Sequence, residues 1–335
     1  MNKPSRIGLS DIVARLDNAS RIVITTHTRA DGDAVGSAAA LQRVLRQLGK
    51  TPTVYLHEPV LERYAFLAQF EPLPTWNLAA AGRTLASADL LLLVDTCAAA
   101  QLGKLADPIK AAPVRKVAID HHVTRDDIVD EVFFSEEAGA SAQIVVQILE
   151  HAGWPIDGQV ATALFTGLAT DTGWFRFANA DRAVFVTGAK LIKAGASPVE
   201  LYERLYLSDC AARARLIGAV LSSFELLADG RLAVIRITQD MLNRCGATRE
   251  MTEEIINEPQ RIGSVIACVL IVEPVGDGPV RVSFRSKHGL DVAAIAAQFG
   301  GGGHERAAGA RIPGTFTGVA ERIIPVMIRA VESIR

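Results

Sequence analysis

Residues 21–45 read RIVITTHTRADGDAVGSAAALQRVL, and this stretch decides how we interpret the fold. The apolar run at 21–26 predicts a buried strand, and the alanine- and leucine-rich run at 33–48 predicts a helix. The loop between them carries three side chains that can bind a metal ion: His27, Asp31 and Asp33. An aspartate placed just before a helix is also a common N-cap, so helix capping is an alternative role for either carboxylate.

The same alternation of short apolar runs and helical patterns continues along the first part of the chain. The predicted strands lie at 21–26, 53–56, 90–94 and 116–119. The predicted helices lie at 33–48, 140–151 and 159–169. This order is typical of an α/β domain with a parallel sheet and helices on both faces, in which ligands bind at the carboxyl ends of the strands.

A helical segment and a second α/β region follow. Residues 181–227 look almost wholly helical and are interpreted as a connector. Further strands are predicted at 232–237, 264–272 and 280–284, and helices at 291–298 and 320–333. The sequence thus predicts an α/β protein in three parts: a larger domain at 1–190 that carries the candidate metal ligands, a helical connector at 191–227 and a smaller α/β carboxyl-terminal domain at 228–335.

Composition narrows the classes of function. A chain of 335 residues is long enough for two cores, and 49% hydrophobic residues are enough to fill them. The formal net charge of -2 provides no positive field for long duplex nucleic acid. No apolar run approaches the roughly 20 residues of a membrane span, and the amino terminus lacks a signal-peptide pattern, so we expect a cytoplasmic protein. The four cysteines lack the spacing of a zinc site or redox pair.

Further carboxylates and histidines follow the later strands and a helix. They are Asp95, Asp120, His121, His122 and Asp171. Each alone could form a turn or a cap. Together with the loop at 27–33, however, four separate segments place such groups at the same predicted edge of the sheet. The cluster would repel itself without cations, and two divalent ions about 3.5 to 4 Å apart activate water and hold a phosphoryl group. Mixed imidazole and carboxylate donors favour two Mn²⁺ ions, with Mg²⁺ or Co²⁺ as alternatives.

These four segments resemble the motifs of the DHH phosphoesterase family, whose triplet stands here as Asp120-His121-His122. The resemblance implies that one metal is bound by His27, Asp31 and Asp95. It implies that the other is bound by Asp33, Asp95, His121 and Asp171, with Asp95 bridging both. His122 would contact the substrate phosphate and Asp120 would orient its neighbours. The chain departs from the family pattern at Ala30, where proline is usual, and at Thr124-Arg125, which replace a small polar residue and asparagine.

A glycine-rich stretch, FGGGGHERAAG at 299–309, stands in the second region. Its bare backbone amides could approach an anion closely, although a linker or bulged turn is the alternative. Residues 285–309 resemble the substrate-binding DHHA-type domain that accompanies this catalytic domain. The resemblance implies nucleotide binding by Arg285, Ser286, Gly302, Gly303 and His304. Trp174 and Phe175 could stack on a base, but buried packing is the more common role of aromatic residues.

The expected activity follows from this resemblance. It implies a manganese-dependent phosphoesterase that hydrolyses short single-stranded RNA to mononucleotides and 3′-phosphoadenosine 5′-phosphate (pAp) to AMP. A phosphodiesterase of linear or cyclic dinucleotides is an alternative, and so is a sensor that binds nucleotides without turnover. A pyrophosphatase is less favoured, because the glycine run and Arg285 follow a nucleotide-binding pattern. The preferred substrate, the direction of digestion and the oligomeric state stay open.

Overall fold

Two β-sheets organise the chain, one in each of two units. The computed structural model describes residues 4–122, 125–287 and 289–334, apart from the side chain of His304. The units are Met1–Ser208 and Asp209–Arg335. The first contains a six-stranded parallel sheet and the second a mixed six-stranded sheet, with helices in the intervening segment. This confirms the predicted α/β class.

The first unit contains six strands and eight helices among its described residues. The strands are β1 (Ser5–Arg6), β2 (Arg21–Thr25), β3 (Thr51–Tyr55), β4 (Leu90–Val94), β5 (Arg115–Asp120) and β6 (Glu131–Phe134). The helices are α1 (Leu9–Asn18), α2 (Gly32–Gln47), α3 (Ala81–Ala86), α4 (Ala106–Ala111), α5 (Ser141–Ala152), α6 (Gly158–Asp171), α7 (Arg182–Lys193) and α8 (Pro198–Tyr206). The predicted strands and helices of the first domain all occur, with their ends within two residues of the predicted positions.

The sheet of the first unit has the order β3-β2-β4-β5-β6-β1, with every neighbouring pair parallel. Ile22 and Ile24 pack into one core and Val23 into another, because successive side chains of a strand point to opposite faces. The chain therefore buries both faces of the sheet, as predicted. The strand order reverses between β2 and β4, and such a switch point opens a crevice at the carboxyl ends of the strands.

Helices α2 and α6 approach each other through glycines. A Cβ atom at Gly36 would lie 2.3 Å from the carbonyl oxygen of Ala163, and a Cβ at Gly32 would lie 2.3 Å from Oγ1 of Thr170. Real Cβ atoms do not come so close to other atoms, so only glycine allows this contact. The close approach brings the start of α2 beside the end of α6.

The second unit is built on four longer and two short strands. Its elements are α9 (Ala211–Ser223), β7 (Glu225–Leu227), β8 (Leu232–Ile237), α10 (Gln239–Cys245), β9 (Ala267–Val272), β10 (Val280–Ser286), α11 (Val292–Ala297), β11 (Gly302–His304), β12 (Ala307–Ile312) and α12 (Phe316–Glu332). The order is β7-β8-β9-β10-β12-β11, and only β8 and β9 are parallel. One face packs against α11 and α12, and the other against α9 and α10.

Several boundaries in this unit differ from the prediction. The strand predicted at 264–272 begins at Ala267, and the one predicted at 280–284 continues to Ser286, because β10 pairs along its whole length with β9 and β12. Arg285 and Ser286 therefore lie inside a strand and not after it. The glycine run is partly a strand, since β11 forms an antiparallel hairpin with β12.

The segment predicted to be a helical connector contains three helices, and it ends in the short strand β7. Helix α9 packs on the sheet of the second unit through Leu216 and Val220. The domain boundaries at 190 and 228 remain a prediction. Among the residues that the structure describes, no helix combines the length and apolar character needed to cross a membrane.

Replacing Gly36 by alanine is expected to lower the free energy of unfolding by about 1–3 kcal/mol, because the new methyl group must displace the backbone of α6. Gly82→Ala is the matched control, since Gly82 lies in α3 with no atom within 4 Å of its Cβ position. That variant should be unchanged or stabilised by up to about 1 kcal/mol. Urea unfolding in EDTA measures both, and equal midpoints for the two variants would contradict the packing argument.

Candidate metal centre

The predicted metal ligands of the first unit converge at one sheet edge. His27 follows β2, Asp95 follows β4 and His121 follows β5, and these three strands are neighbours in the sheet. Asp33 lies in the first turn of α2 and Asp171 is the last residue of α6. The site therefore stands at the switch point of the sheet, and the glycine contacts between α2 and α6 position two of its carboxylates.

Three groups of side chains at this edge could each hold an ion. Within each group the donor atoms lie within 4.8 Å of one another. The groups are His27, Asp31 and Asp95; Asp33, His121 and Asp171; and Asp95, His121 and His122. The first two share no residue, so the structure offers two separate sets of three donors side by side.

Asp95 belongs to the first set and also faces the second. Its Oδ2 is 3.4 Å from Nε2 of His27, and its Oδ1 is 3.5 Å from Nε2 of His121. The residue is buried and has a left-handed backbone with φ of 63°, a conformation that is uncommon for a residue other than glycine. Its amide donates to the carbonyl oxygen of Ile119, which ties the residue to β5. The two oxygens of one carboxylate thus face different donor sets.

The two histidines facing Asp95 are oriented by backbone carbonyl groups. Nδ1 of His27 lies 2.9 Å from the carbonyl oxygen of Thr28, and Nδ1 of His121 lies 3.2 Å from that of Ala138. A carbonyl oxygen only accepts, so each Nδ1 carries a proton and each Nε2 is the atom turned towards the cluster, where it can bind a cation once it carries no proton. Nε2 of His121 is buried with no hydrogen-bond partner among the described residues. An orphaned imidazole nitrogen beside carboxylates fits a divalent cation.

Asp33 is held by the amino terminus of α5. The amides of Ser141 and Ala142 donate to its two oxygens at 2.6 and 2.8 Å, and Ser37 donates from its hydroxyl at 3.2 Å. The hydroxyl of Ser141 also donates to Oδ1 of Asp95 at 2.9 Å. Ser141 therefore positions the carboxylates of both Asp33 and Asp95. Our sequence reasoning missed Ser141, and its only signal was its place at the start of a predicted helix.

Asp120 organises the histidine pair. Its Oδ1 accepts from the amides of His121 and His122 at 2.8 and 3.1 Å, and from Nδ1 of His122 at 2.8 Å. Asp120 is completely buried. Nδ1 of His122 also lies 3.7 Å from Oδ1 of Asp95. Because this nitrogen is already bonded to Asp120, it is poorly placed to bind a metal ion. The structure therefore favours the two disjoint donor sets over the third.

Asp31 has both of the roles considered from the sequence. Its Oδ1 accepts from the amides of Asp33 and Ala34, which makes it the N-cap of α2. The same oxygen lies 3.9 Å from Nε2 of His27. On the other side of the cluster, Oδ2 of Asp171 lies 3.5 Å from Nε2 of His121. Of the residues after the histidine pair, Thr124 lies outside the described residues.

Crowding shifts the proton affinities of the cluster. Burial raises the pKa of Asp33 well above its usual range, and the charges of Asp95 and Asp31 add to this. Burial also raises the pKa of Asp171, and the charge of Asp33 is the largest addition, followed by those of Asp31 and Asp95. Burial alone would lower the pKa of His27, but its contact with Asp95 and the charge of Asp31 raise it to about 10. Without cations, protons therefore neutralise part of the cluster.

The predicted nucleotide-binding residues of the second unit share one end of its sheet. Arg285 of β10 and His304 of β11 both pair with Ala307 of the intervening β12. Ser286 donates its hydroxyl to the carbonyl oxygen of Leu290 at 2.7 Å. Nη1 of Arg285 donates to the carbonyl oxygen of Phe284 at 3.0 Å, and burial lowers the pKa of this guanidinium. The side chain of His304 lies outside the described part of the chain.

Gly302 and Gly303 belong to β11, which is the edge strand of the sheet. Alternate backbone groups of an edge strand face away from its partner, so amides remain available at this edge. Part of the glycine run thus forms a hairpin strand, and not the linker or bulged turn considered as an alternative.

The aromatic candidates pack against other side chains of the first unit. Trp174 makes edge contacts with Phe165, Tyr202 and Tyr206, at ring-centroid distances of 6.1, 5.1 and 5.5 Å. Phe175 lies 5.6 Å from Phe165. Both Trp174 and Phe175 have left-handed backbones directly after the Asp171 segment. These contacts favour packing over base stacking.

Comparisons with known proteins agree with this geometry. The model described as DHH family, N-terminal domain, matches residues 21–168, and the DHHA1 domain matches residues 231–333. A bifunctional oligoribonuclease and PAP phosphatase NrnA from Thermus thermophilus is 31% identical over 298 residues, covering 88% of this chain and 84% of that protein. The first match includes every residue of the two donor sets except Asp171.

Two solved structures show the fold in other proteins. An exopolyphosphatase-related protein from Bacteroides fragilis superposes with a TM-score of 0.90 at 24% identity, covering 97% of each chain. RecJ from Thermus thermophilus, in complex with Mn²⁺, superposes with a TM-score of 0.53 at 16% identity, covering 97% of this chain and 54% of that one. Proteins with only 16–24% sequence identity to this chain therefore share its fold.

Ser141→Ala is expected to weaken Mn²⁺ binding about 10- to 100-fold, the usual effect of removing a group that orients metal ligands. The change deletes the hydroxyl that holds Asp95 and leaves the backbone bond to Asp33. Ser87→Ala is the control, because that exposed hydroxyl bonds only to the carbonyl oxygen of Thr84 among the described residues. Calorimetric titration of metal-free protein measures both, and matching affinities would contradict the positioning role.

Metal binding should release protons and strengthen as the pH rises from 6 to 8. The pKa of His27 is about 10 in the metal-free protein, so its ring is protonated throughout this range and a cation must displace a proton. The apparent affinity then increases up to about tenfold per pH unit for each proton displaced. Calorimetric titration in two buffers with different protonation enthalpies measures how many protons are released when the metal binds. The same affinity at pH 6 and pH 8 would refute this expectation.

Proposed function

Because this chain belongs to the DHH family of phosphoesterases and is a hydrolase, we propose that it is a two-metal, manganese-dependent enzyme acting on very small nucleotide substrates. The observation that carries the proposal is the position of Asp95, which belongs to one donor set through the oxygen that faces His27 and presents its other oxygen to His121 of the second set. A bridging carboxylate between two ions requires this arrangement.

The donor sets support the following choice of ligands. His27, Asp31 and Asp95 would hold one ion; Asp33, His121 and Asp171 would hold the other, with Asp95 shared. When bound, two divalent ions supply an activated water and a positive clamp on the phosphoryl group. Carboxylate and imidazole donors together favour Mn²⁺ over Mg²⁺, and Co²⁺ is the other candidate.

His122 would contact the phosphoryl group of the substrate. Burial alone would lower the pKa of this ring, but its hydrogen bond to Asp120 and the charge of Asp95 raise the pKa to about 9. The ring is then an imidazolium near neutral pH, and Nε2 can donate a proton to an anionic oxygen. Asp120 fixes the orientation of the ring through Nδ1, so its role is to position His122.

The proposed substrates are short single-stranded RNA, cleaved to mononucleotides, and pAp, cleaved to AMP. The similarity to the Thermus thermophilus oligoribonuclease and PAP phosphatase over most of both chains supports this choice. The net charge of -2 also favours short substrates, since extended nucleic acid needs many phosphate contacts. We propose that the domain at 228–335 binds the nucleotide through Arg285, Ser286, Gly302, Gly303 and His304. The cytoplasmic location stays a prediction.

Asp95→Asn should reduce hydrolysis with saturating Mn²⁺ by about a thousandfold or more, the order seen when a catalytic set loses a member. The amide keeps the shape of the carboxylate but loses the charge that two cations would share. Asp89→Asn is the matched control, because Asp89 directly precedes the same strand and makes an exposed ion pair with Arg21. Initial rates on pAp measure both, and substantial activity in Asp95→Asn would exclude the bridging role.

A substrate panel separates the proposed activity from its alternatives. Initial rates are compared for pAp, 5′-labelled RNA of two to about ten residues, and linear and cyclic dinucleotides, each with Mn²⁺ and Mg²⁺. Fastest turnover of pAp and the shortest RNAs supports the proposal. Selective turnover of cyclic dinucleotides assigns the chain to the phosphodiesterase alternative, and stoichiometric binding without product assigns it to the sensor.

A further inference from the structure

Arg125 lies at the same sheet edge as the metal centre. It follows His122 by three residues, so their Cα atoms are at most about 11 Å apart. Its guanidinium carbon lies 3.7 Å from the centroid of the Phe134 ring. Phe134 is the last residue of β6, and it pairs directly with Asp120 at the end of β5. The cation is therefore held beside the residue that orients the histidine pair.

The chain that follows this guanidinium is well anchored. The next residue, Asp126, donates its amide to the carbonyl oxygen of Cys97 at 2.8 Å and accepts from the amide of Ala99 at 2.8 Å. These bonds attach the segment to the loop that begins with Asp95. The backbone next to Arg125 is thus fixed beside the loop that carries Asp95.

Among the described residues, Arg125 has no ion-pair partner at hydrogen-bond distance. Its ion pair there, from Nη2 to Oε1 of Glu136, is 3.7 Å long, and the Glu136 side chain is 56% exposed. That distance is too long for a hydrogen bond, and such exposed pairs contribute little. In contrast, Arg15 donates to both oxygens of Glu131 at 2.8 Å. Arg6 also contacts Phe134, but it donates to the carbonyl oxygen of that residue.

Stacking on Phe134 leaves the edge of the guanidinium open. A guanidinium has five N–H donors in one plane, and a ring beneath that plane occupies none of them. Arg125 makes no hydrogen bond to another of the residues that the structure describes, and its side chain is 29% exposed. A planar, preoriented donor set of this kind matches two oxygens of a phosphate group.

We propose that Arg125 binds a phosphate of the substrate other than the one being cleaved, and so selects substrates that carry at least two phosphates. The inference rests on the proposed function and deepens it. Arginine stands here where the family pattern has asparagine, so the resemblance assigns no role to this position. The proposed nucleotide-binding residues at 285–304 belong to the other unit of the chain.

The test compares three substrates: a dinucleotide with a 5′-hydroxyl, which has only the scissile phosphate; the same dinucleotide with a 5′-phosphate; and a trinucleotide with a 5′-hydroxyl. In Arg125→Gln, KM for at least one of the two-phosphate substrates should rise roughly ten- to hundredfold, as expected for loss of a hydrogen bond to a charged group. The value of kcat should change less than about twofold, because the chemistry at the metal centre is untouched. KM for the one-phosphate dinucleotide should stay unchanged, and Arg125→Lys should restore part of the loss.

The control is Arg115→Gln, which removes an arginine from the first position of the strand that ends at Asp120. Arg115 is exposed and lies at the opposite end of the strand from Asp120, so the same change of charge is made away from the metal centre. A second control, Glu136→Gln, deletes the weak ion pair of Arg125 and should leave KM unchanged for all three substrates. Equal changes for all three substrates in Arg125→Gln, or no change for any, would overturn the proposal.

Binding in EDTA distinguishes this inference from the proposed function. The same three substrates are titrated by calorimetry into metal-free protein, where turnover is absent. If the wild-type protein binds the two-phosphate substrates more tightly and Arg125→Gln loses that preference, the inference holds even where hydrolysis fails. If the wild-type protein shows no such preference in binding or in KM, the inference is wrong, whatever the rate of hydrolysis.

Discussion

Mutual repulsion among four carboxylates at one sheet edge is the constraint on which this structure depends. Asp33 and Asp95 are almost completely buried, and the charges of Asp31 and Asp95 raise the pKa of both Asp33 and Asp171. Two unit charges 4 Å apart repel by about 4 kcal/mol at the effective dielectric of a protein surface, and burial increases this. Protons, imidazolium rings or divalent cations must supply the missing positive charge, and the family chemistry uses cations.

Backbone dipoles stabilise the negative charge of this cluster, and close helix packing holds its carboxylates near one another. The amino terminus of α5 directs the amides of Ser141 and Ala142 at Asp33, and a helix amino terminus stabilises negative charge. The contact between α2 and α6 leaves no room for side chains at Gly32 or Gly36, so the carboxylates at the ends of these helices are held at short range. A parallel sheet adds the switch point, where loops from adjacent strands meet.

The sequence predicts the parts of this design that have a chemical or periodic signature. Continuous apolar runs such as 90–94 identify strands buried on both faces, and an ionisable residue directly after such a run locates a ligand position. Ser141 carries no such signature, because its importance comes from which helix end meets Asp33 in space. The extension of β10 through Ser286 was missed for a similar reason, since strand length there depends on pairing with β9 and β12. Nonlocal contacts decide both features, and a local pattern does not contain them.

The glycine run of the second unit shows how the structure separates folding requirements from functional ones. A Cβ at Gly301 would lie 2.2 Å from the carbonyl oxygen of Gly309, and one at Gly303 would lie 2.5 Å from that of Ala307. Gly300 has a φ of 73°, which favours glycine for a different reason. A Cβ at Gly302, however, would meet no described atom within 4 Å, and its φ is not left-handed. Close packing in and beside the hairpin explains Gly301 and Gly303, and a left-handed backbone explains Gly300, whereas no contact among the described residues requires glycine at 302.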